Sequence, residues 1–314
     1  MAIDDPRPGA VHFIDHYAVP TADLMRWQQF MQNALGGVYY YTHGLVSREE
    51  ARGARPRTFY WVGAQEIGGF LQRRALPAPG PLGRSYPRFG YWTRQAELDA
   101  HRRRFDALGV AASDPVRTSE DGEPGTAVYF TDPDGNQYEL WAPDELPEAA
   151  MEGGNALGLG RISHAVLEST DLDRTTDFYG RFCAVEPIQS ADIPKDTVAF
   201  RLAGGGRLVF KQVEAIGART GGHETWEGQH AALTVRPDEW ELVHRRIWDG
   251  LPSDRFMQHP KVARGEMEAK LELGGYFYDW DGNSYHFNRW HGQMRQDGPD
   301  ARTYGRNPFG VNPH

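Results

Sequence analysis

Short apolar stretches alternate with amphipathic stretches along this chain. One apolar stretch begins at His16 and leads into Asp23-Leu24 and an amphipathic segment through Phe30. The pattern predicts a strand followed by a helix, and Asp23 is a typical N-cap residue for the start of that helix. Strand-like stretches follow, so the predicted unit is a strand, a helix and further strands.

This unit is repeated along the chain. Three of its features recur 148 positions later, pairing His16 with His164, Asp23 with Asp171 and Phe30 with Phe178. A second pair of predicted helices, residues 94–105 and 236–247, recurs at an offset of 142 positions. Such a repeat predicts two strand–helix–strands units in each half of the chain, and four in all.

A hairpin is predicted at the end of each half. The turns are Asp132-Pro133-Asp134-Gly135-Asn136 and Asp279-Trp280-Asp281-Gly282-Asn283, which lie 147 positions apart. An Asp-Gly pair between strand-like stretches is typical of a tight hairpin turn. Each turn is followed by a residue type that can bind a metal, Glu139 in the first copy and His286 in the second. A single histidine after one such hairpin would be interpreted as a core residue. Two hairpins that are each followed by a possible metal ligand indicate a duplicated metal-binding fold.

The offsets define which polar residues are equivalent in the two halves. The second half carries His164, His230 and His286, and the equivalent residues of the first half are His16, Arg88 and Glu139. Three neutral imidazoles form a plausible set of metal ligands. An arginine is permanently cationic and only donates hydrogen bonds, so we expect the first-half set to be a degenerate metal site.

Composition narrows the function classes. The 314-residue chain has a formal net charge of −9, which disfavours nucleic acid or an anionic membrane as the main partner. No apolar run reaches the length of a membrane span, the first residues lack the pattern of a signal peptide, and Cys183 is the only cysteine, so we expect a cytoplasmic protein. An acidic, Pro- and Gly-rich stretch at 142–155 predicts a linker. The predicted domains are 1–150 and 156–290, followed by a tail at 291–314.

At these residues the chain resembles the vicinal oxygen chelate superfamily, and within it the two-domain type I extradiol dioxygenases. The resemblance implies an α+β fold of two tandem domains, each made of two paired βαβββ units that form a curved mixed sheet around a metal cavity. In that family Fe(II) is held by His, His and Glu, which correspond by position to His164, His230 and His286. A tyrosine ten residues before the last ligand hydrogen-bonds the substrate in the family, and Tyr276 stands there.

The chain departs from the family in its ligands and in its acid–base residues. His286 stands where the family has glutamate, so the protein would supply no anionic ligand. The family's catalytic strand histidine is absent from residues 207–210, and the nearest acid–base candidate is His259. Some superfamily members take the first ligand from the other half, which would substitute His16 for His164.

The resemblance implies a non-haem Fe(II) dioxygenase that cleaves a ring or a carbon–carbon bond of a small bidentate oxygen-donor substrate, with Tyr276 and His259 as catalytic residues. Mn(II), Ni(II) or Zn(II) are the alternative metals. The expected partners are a catechol-like or β-dicarbonyl substrate, O2 and further copies of the chain in a homo-oligomer. Two other functions remain open, namely a redox-neutral lyase or isomerase and a metal-free resistance-type protein that binds small molecules.

Overall fold

The structure is a computed structural model that describes residues 7–43, 56–72, 75–119, 122–218, 230–256 and 276–289. For Tyr276 and His286 it describes the backbone, and their side chains lie outside what is described. His259 and the predicted tail 291–314 also lie outside the described residues.

Four strand–helix–strands units follow one another, as the repeat predicts. The first two comprise β1 (Phe13–Thr21), α1 (Leu24–Leu35), β2 (Val38–His43), β3 (Arg57–Val62), β4 (Gln65–Leu71), β5 (Arg88–Thr93), α2 (Leu98–Leu108), β6 (Val116–Thr118), β7 (Gly125–Thr131) and β8 (Gln137–Pro143). The last two comprise β9 (Leu159–Ser169), α3 (Leu172–Phe182), β10 (Thr197–Arg201), β11 (Arg207–Gln212), β12 (His230–Val235), α4 (Trp240–Gly250), β13 (Tyr276–Tyr278) and β14 (Ser284–Arg289).

The helix starts follow the sequence signals. The Asp23 carboxylate accepts hydrogen bonds from the backbone N–H groups of Met25 and Arg26, and it caps α1. Asp171 caps α3 through the N–H of Arg174. Both predicted N-caps are therefore confirmed. The helices α2 and α4 begin later than the sequence predicts, because a 3-10 turn precedes each of them.

The strands form two seven-stranded mixed sheets. The first sheet has the order β13-β14-β12-β1-β4-β3-β2, and the second has the order β10-β11-β9-β5-β8-β7-β6. Each sheet takes strands from both halves of the sequence. The architecture is α+β, as predicted. Within the described residues, no helix is long and apolar enough to cross a membrane.

Contacts divide the chain into two compact units. The N-terminal unit contains His16–Thr118 and Pro124–Ser163. The C-terminal unit contains the described residues from His164 onward, together with those before His16 and those at 119–123. Each unit has its own aromatic core under its helices.

In the N-terminal unit aromatic side chains of the two helices pack on residues of β7 and β8. Tyr138 of β8 packs against Phe30 of α1, and Phe105 of α2 stacks on Phe130 with ring centroids 4.6 Å apart. In the C-terminal unit Phe178 of α3 stacks on Phe277 of β13. Because successive strand residues alternate between faces, Tyr129 of β7 and Glu139 of β8 lie on the opposite face from Phe130 and Tyr138.

Candidate functional site

The turn between β13 and β14 is held by Asp279. Its buried carboxylate accepts hydrogen bonds from the backbone N–H groups of Asp281 and Asn283 at 3.0 and 2.9 Å. The Asn283 amide donates to the other carboxylate oxygen at 2.8 Å. These bonds occupy the donors of the turn and fix where β14 begins.

The same turn is tied to helix α3. The Tyr179 hydroxyl donates to Asp279 at 2.8 Å, and Asp281 accepts from the Thr170 hydroxyl at 2.5 Å and from the Arg174 guanidinium at 2.8 Å. Burial raises the pKa of Asp279 to about 6, against the opposing effect of its hydrogen bonds. The strand that carries His286 therefore starts from a fixed point.

The first copy of the hairpin repeats this arrangement. Asp132 accepts from the backbone N–H groups of Asp134 and Asn136, both at 2.9 Å, and from the Tyr138 hydroxyl at 3.0 Å. Asp134 accepts from the Thr21 hydroxyl at 2.5 Å, which ties the turn to the start of α1. Burial also raises the pKa of Asp132 to about 6. The predicted duplication of the hairpin is confirmed.

The strand registers of the two copies are the same. In the second copy His286 is paired with Tyr276 on β13 and with Ala232 on β12. In the first copy Glu139 is paired with Tyr129 on β7 and with Gly90 on β5. The paired positions differ by the offsets of the sequence repeat, 147 for the hairpins and 142 for the strands β5 and β12.

The register also assigns faces to the C-terminal strands. Phe277 and Tyr285 lie opposite each other and pack towards α3, where Tyr179 meets Tyr285 at 5.9 Å. Because successive residues of a strand alternate between faces, positions 276 and 286 lie on the face turned away from the helices. His230 lies two residues before Ala232 and so belongs to the same face.

In the N-terminal unit the corresponding side chains converge on one another. The Arg88 Nε donates to the Glu139 carboxylate at 2.8 Å, and the two side chains are 1% and 3% exposed. The Arg88 guanidinium lies 4.9 Å from the centre of the Tyr129 ring, and its Nη1 donates to the Gly83 carbonyl at 2.6 Å. A cation that belongs to the chain is thus held between the carboxylate and the ring.

The geometry of the first copy has a consequence for the second. Positions 88, 129 and 139 bring their side chains together in the N-terminal unit, and positions 230, 276 and 286 have the same register in the C-terminal unit. His230 is 4% exposed. Imidazole is a suitable ligand type for a divalent transition metal, and positions 230 and 286 correspond in register to those of the Arg88–Glu139 pair.

The third predicted ligand, His164, lies on β9 and is 2% exposed. Its partner in the register is Arg207 of β11, which is also buried and forms an ion pair with Glu123. The strand β9 belongs to the second sheet, whereas β12 and β14 belong to the first.

The alternative ligand, His16, is 8% exposed and lies on β1, the neighbour of β12 in the strand order of the first sheet. Just before β1, the His12 backbone N–H donates to the Thr234 carbonyl of β12 at 2.8 Å. His16 lies four residues after His12, and His230 lies four residues before Thr234. The choice between His16 and His164 is therefore the point that an experiment must decide.

The other predicted features are placed as follows. Residues 207–210 form part of β11 and contain no histidine, as the sequence indicates.

Among the described side chains, no group of three His, Cys, Asp or Glu residues could hold a metal, and the side chain of His286 is not among them. The role of Tyr129 was missed by sequence reasoning, although the offset of 147 that relates it to Tyr276 was already visible.

No protein-family model and no curated protein sequence matches this chain. Solved structures match it along most of its length, and they give it the fold of the vicinal oxygen chelate superfamily. A proposed dioxygenase from Bacillus subtilis subsp. subtilis str. 168 is 16% identical, covers 88% of this chain and 85% of its own, and has a TM-score of 0.61. Glyoxalase I from Zea mays is 13% identical, covers 88% and 92%, and has a TM-score of 0.55.

A smaller protein also matches. A variant of FosX, a fosfomycin resistance protein from Listeria monocytogenes, was solved with Mn(II) and is 21% identical over 41% of this chain and 91% of its own, with a TM-score of 0.33. At these identities the matches establish the fold and not the chemistry of the site.

Proposed function

We propose that this protein is a divalent-metal enzyme of the vicinal oxygen chelate fold, and that it is an Fe(II)-dependent dioxygenase acting on a small chelating substrate. His230 and His286 are two of the metal ligands. The third is His164 in the prediction from the repeat and His16 in the alternative. The observation that carries the proposal is the shared strand register, in which positions 230 and 286 correspond to positions 88 and 139, and at the latter Arg88 and Glu139 meet at 2.8 Å.

The ligand set fits a metal that binds both substrate and O2. Three imidazoles leave coordination positions open, and a bound Fe(II) supplies its chemistry at those positions. Imidazole is neutral as a ligand, so the protein does not cancel the charge of the ion. An anionic, bidentate oxygen donor is the substrate class that such a charge favours.

Tyr276 is the proposed residue that binds the substrate. Its backbone lies directly opposite His286 in the hairpin, on the face turned away from α3. A phenol at this position can donate a hydrogen bond to a substrate oxygen that carries developing negative charge. His259 is the proposed acid–base residue, and its role rests on the sequence resemblance alone.

The metal content tests this proposal first. The protein is purified without oxygen and its bound metals are determined, together with those of the variants H230A, H286A, H164A and H16A. Loss of metal from H230A and H286A is expected. Only one of the other two variants should also lose metal, and it identifies the third ligand. Full metal retention by H230A and H286A would contradict the proposed site.

Oxygen uptake then tests the reaction. The Fe(II)-loaded protein is mixed with catechols and with β-dicarbonyl compounds, and consumption of O2 with formation of a cleaved product is expected for one of these classes. Turnover of a substrate without O2 consumption would identify a redox-neutral lyase or isomerase. Tight binding of aromatic compounds by a protein without metal would indicate a binding protein instead.

A further inference from the structure

The face of β14 that carries His286 contains one further polar position, Ser284. It lies two residues before His286 and opposite Tyr278 of β13. The register pairs Ala231 with Tyr285, so the position next to Ser284 on β12 is His230. Ser284 is therefore flanked on this face by both proposed ligands.

The side chain of Ser284 is 9% exposed, and its hydroxyl makes no hydrogen bond to another described residue. The neighbouring turn cannot supply a partner, because the Asn283 amide already donates to Asp279 and the Asp279 carboxylate is fully occupied. The same turn fixes the position of Ser284 along the strand. A small hydroxyl is thus held in a defined place with its hydrogen-bonding capacity unused by the described protein.

The duplicated hairpin provides a comparison. The residue equivalent to Ser284 is Gln137, at the offset of 147. Its side-chain oxygen accepts a hydrogen bond from the Gly83 N–H at 3.2 Å, so it holds the loop that also receives Arg88. In the first copy the side chain at this position is hydrogen-bonded to the backbone of the protein. In the second copy the shorter serine side chain makes no equivalent bond to a described residue.

We propose that Ser284 is a substrate-positioning residue, and that its hydroxyl donates a hydrogen bond to an oxygen of the substrate bound beside His230 and His286. The inference rests on the proposed function and adds a residue to it. A neutral donor beside a chelating oxygen stabilises that oxygen without adding charge to the site. Removing one such bond is expected to weaken binding by about three- to tenfold.

The test compares S284A with S284T, which keeps a hydroxyl, and with T234V as a matched control. Thr234 lies on the same face of β12, is fully buried, and its hydroxyl has no hydrogen-bond partner in the described residues, so an isosteric valine should leave the site unchanged. The probe is 4-nitrocatechol, whose absorbance reports binding to the Fe(II)-loaded protein without oxygen. Metal content and thermal unfolding are measured for each variant.

S284A should retain metal and fold normally but bind 4-nitrocatechol about three- to tenfold more weakly, while S284T and T234V bind it like the wild type. Equal affinity of S284A and the wild type would overturn the role of Ser284 and leave the metal site standing. Equal weakening in T234V would also overturn it, because a general loss of packing would then explain the effect. If the wild type shows no metal-dependent binding of the probe, the proposed function fails, and this inference fails with it.

Discussion

The Arg88 guanidinium and the Glu139 carboxylate meet at 2.8 Å in the N-terminal unit, at the positions that the repeat makes equivalent to His230 and His286. One copy of the fold thus holds a cation supplied by an arginine. The other copy has histidines at the two corresponding positions of the register.

Removal of the Arg88 side chain should destabilise the protein strongly. R88M removes the guanidinium that donates to the buried Glu139 carboxylate, and breaking such a pair costs about 3–5 kcal/mol. The double variant R88M/E139M removes both charges and should recover most of the loss. Urea unfolding of the three proteins measures the difference. A loss below about 1 kcal/mol in R88M would show that the pair contributes little to the fold.

The two equivalent tyrosines should behave differently. Y276F should keep the metal and lower turnover by about ten- to a hundredfold, because a hydroxyl that orients a substrate oxygen is lost. Y129F keeps the ring that lies over Arg88 and should change neither metal content nor turnover. The comparison uses steady-state kinetics of the Fe(II)-loaded proteins. Unchanged kinetics in Y276F would make this residue part of the core.

H286E should retain metal and bind an anionic substrate less tightly. Glutamate restores the anionic ligand of the extradiol dioxygenases and lowers the charge of the metal–ligand set by one unit, so the affinity for an anionic chelator should fall by at least about tenfold. Wild type and variant are loaded with Fe(II) without oxygen, titrated with substrate and then mixed with O2. Equal affinity and equal turnover would exclude His286 as a ligand.

The two buried hairpin aspartates should make stability depend on pH. Burial raises the pKa of both Asp132 and Asp279 to about 6, above the value of an exposed aspartate in the unfolded chain. Between about pH 4 and pH 6 the folded state therefore binds more protons than the unfolded state, and these groups make stability fall as the pH rises through that window.

The measurement is the free energy of unfolding in urea at several pH values from about 4.5 to 7. Replacing either aspartate by asparagine removes its titration, so the decline with pH should be shallower in D132N and in D279N than in the wild type. A slope that is unchanged in both variants would mean that the two carboxyl groups titrate at the same pKa in the folded and unfolded states.

The sequence was sufficient for features that depend on local chemistry. The Asp23 and Asp171 caps, the Asp-Gly turns and the equivalence of Glu139 with His286 all follow from residue types at fixed spacing. The strand order does not follow from spacing, because the same four units can be combined into sheets in more than one way. For that reason the repeat alone could not decide between His16 and His164. The hydrogen bond between Gln137 and Gly83 could not be predicted from the sequence either. It joins a strand to a loop whose sequence is not part of the repeat.

The positive charge that Arg88 places beside Glu139 does not depend on a supply of metal. A chelator can withdraw an ion from a set of histidines, but it cannot withdraw a side chain that is covalently part of the polypeptide. The N-terminal unit therefore contains its cation from the moment it is synthesised, whatever metal is available. Under the proposed function, only the half of the sequence that carries His230 and His286 would respond to the supply of metal.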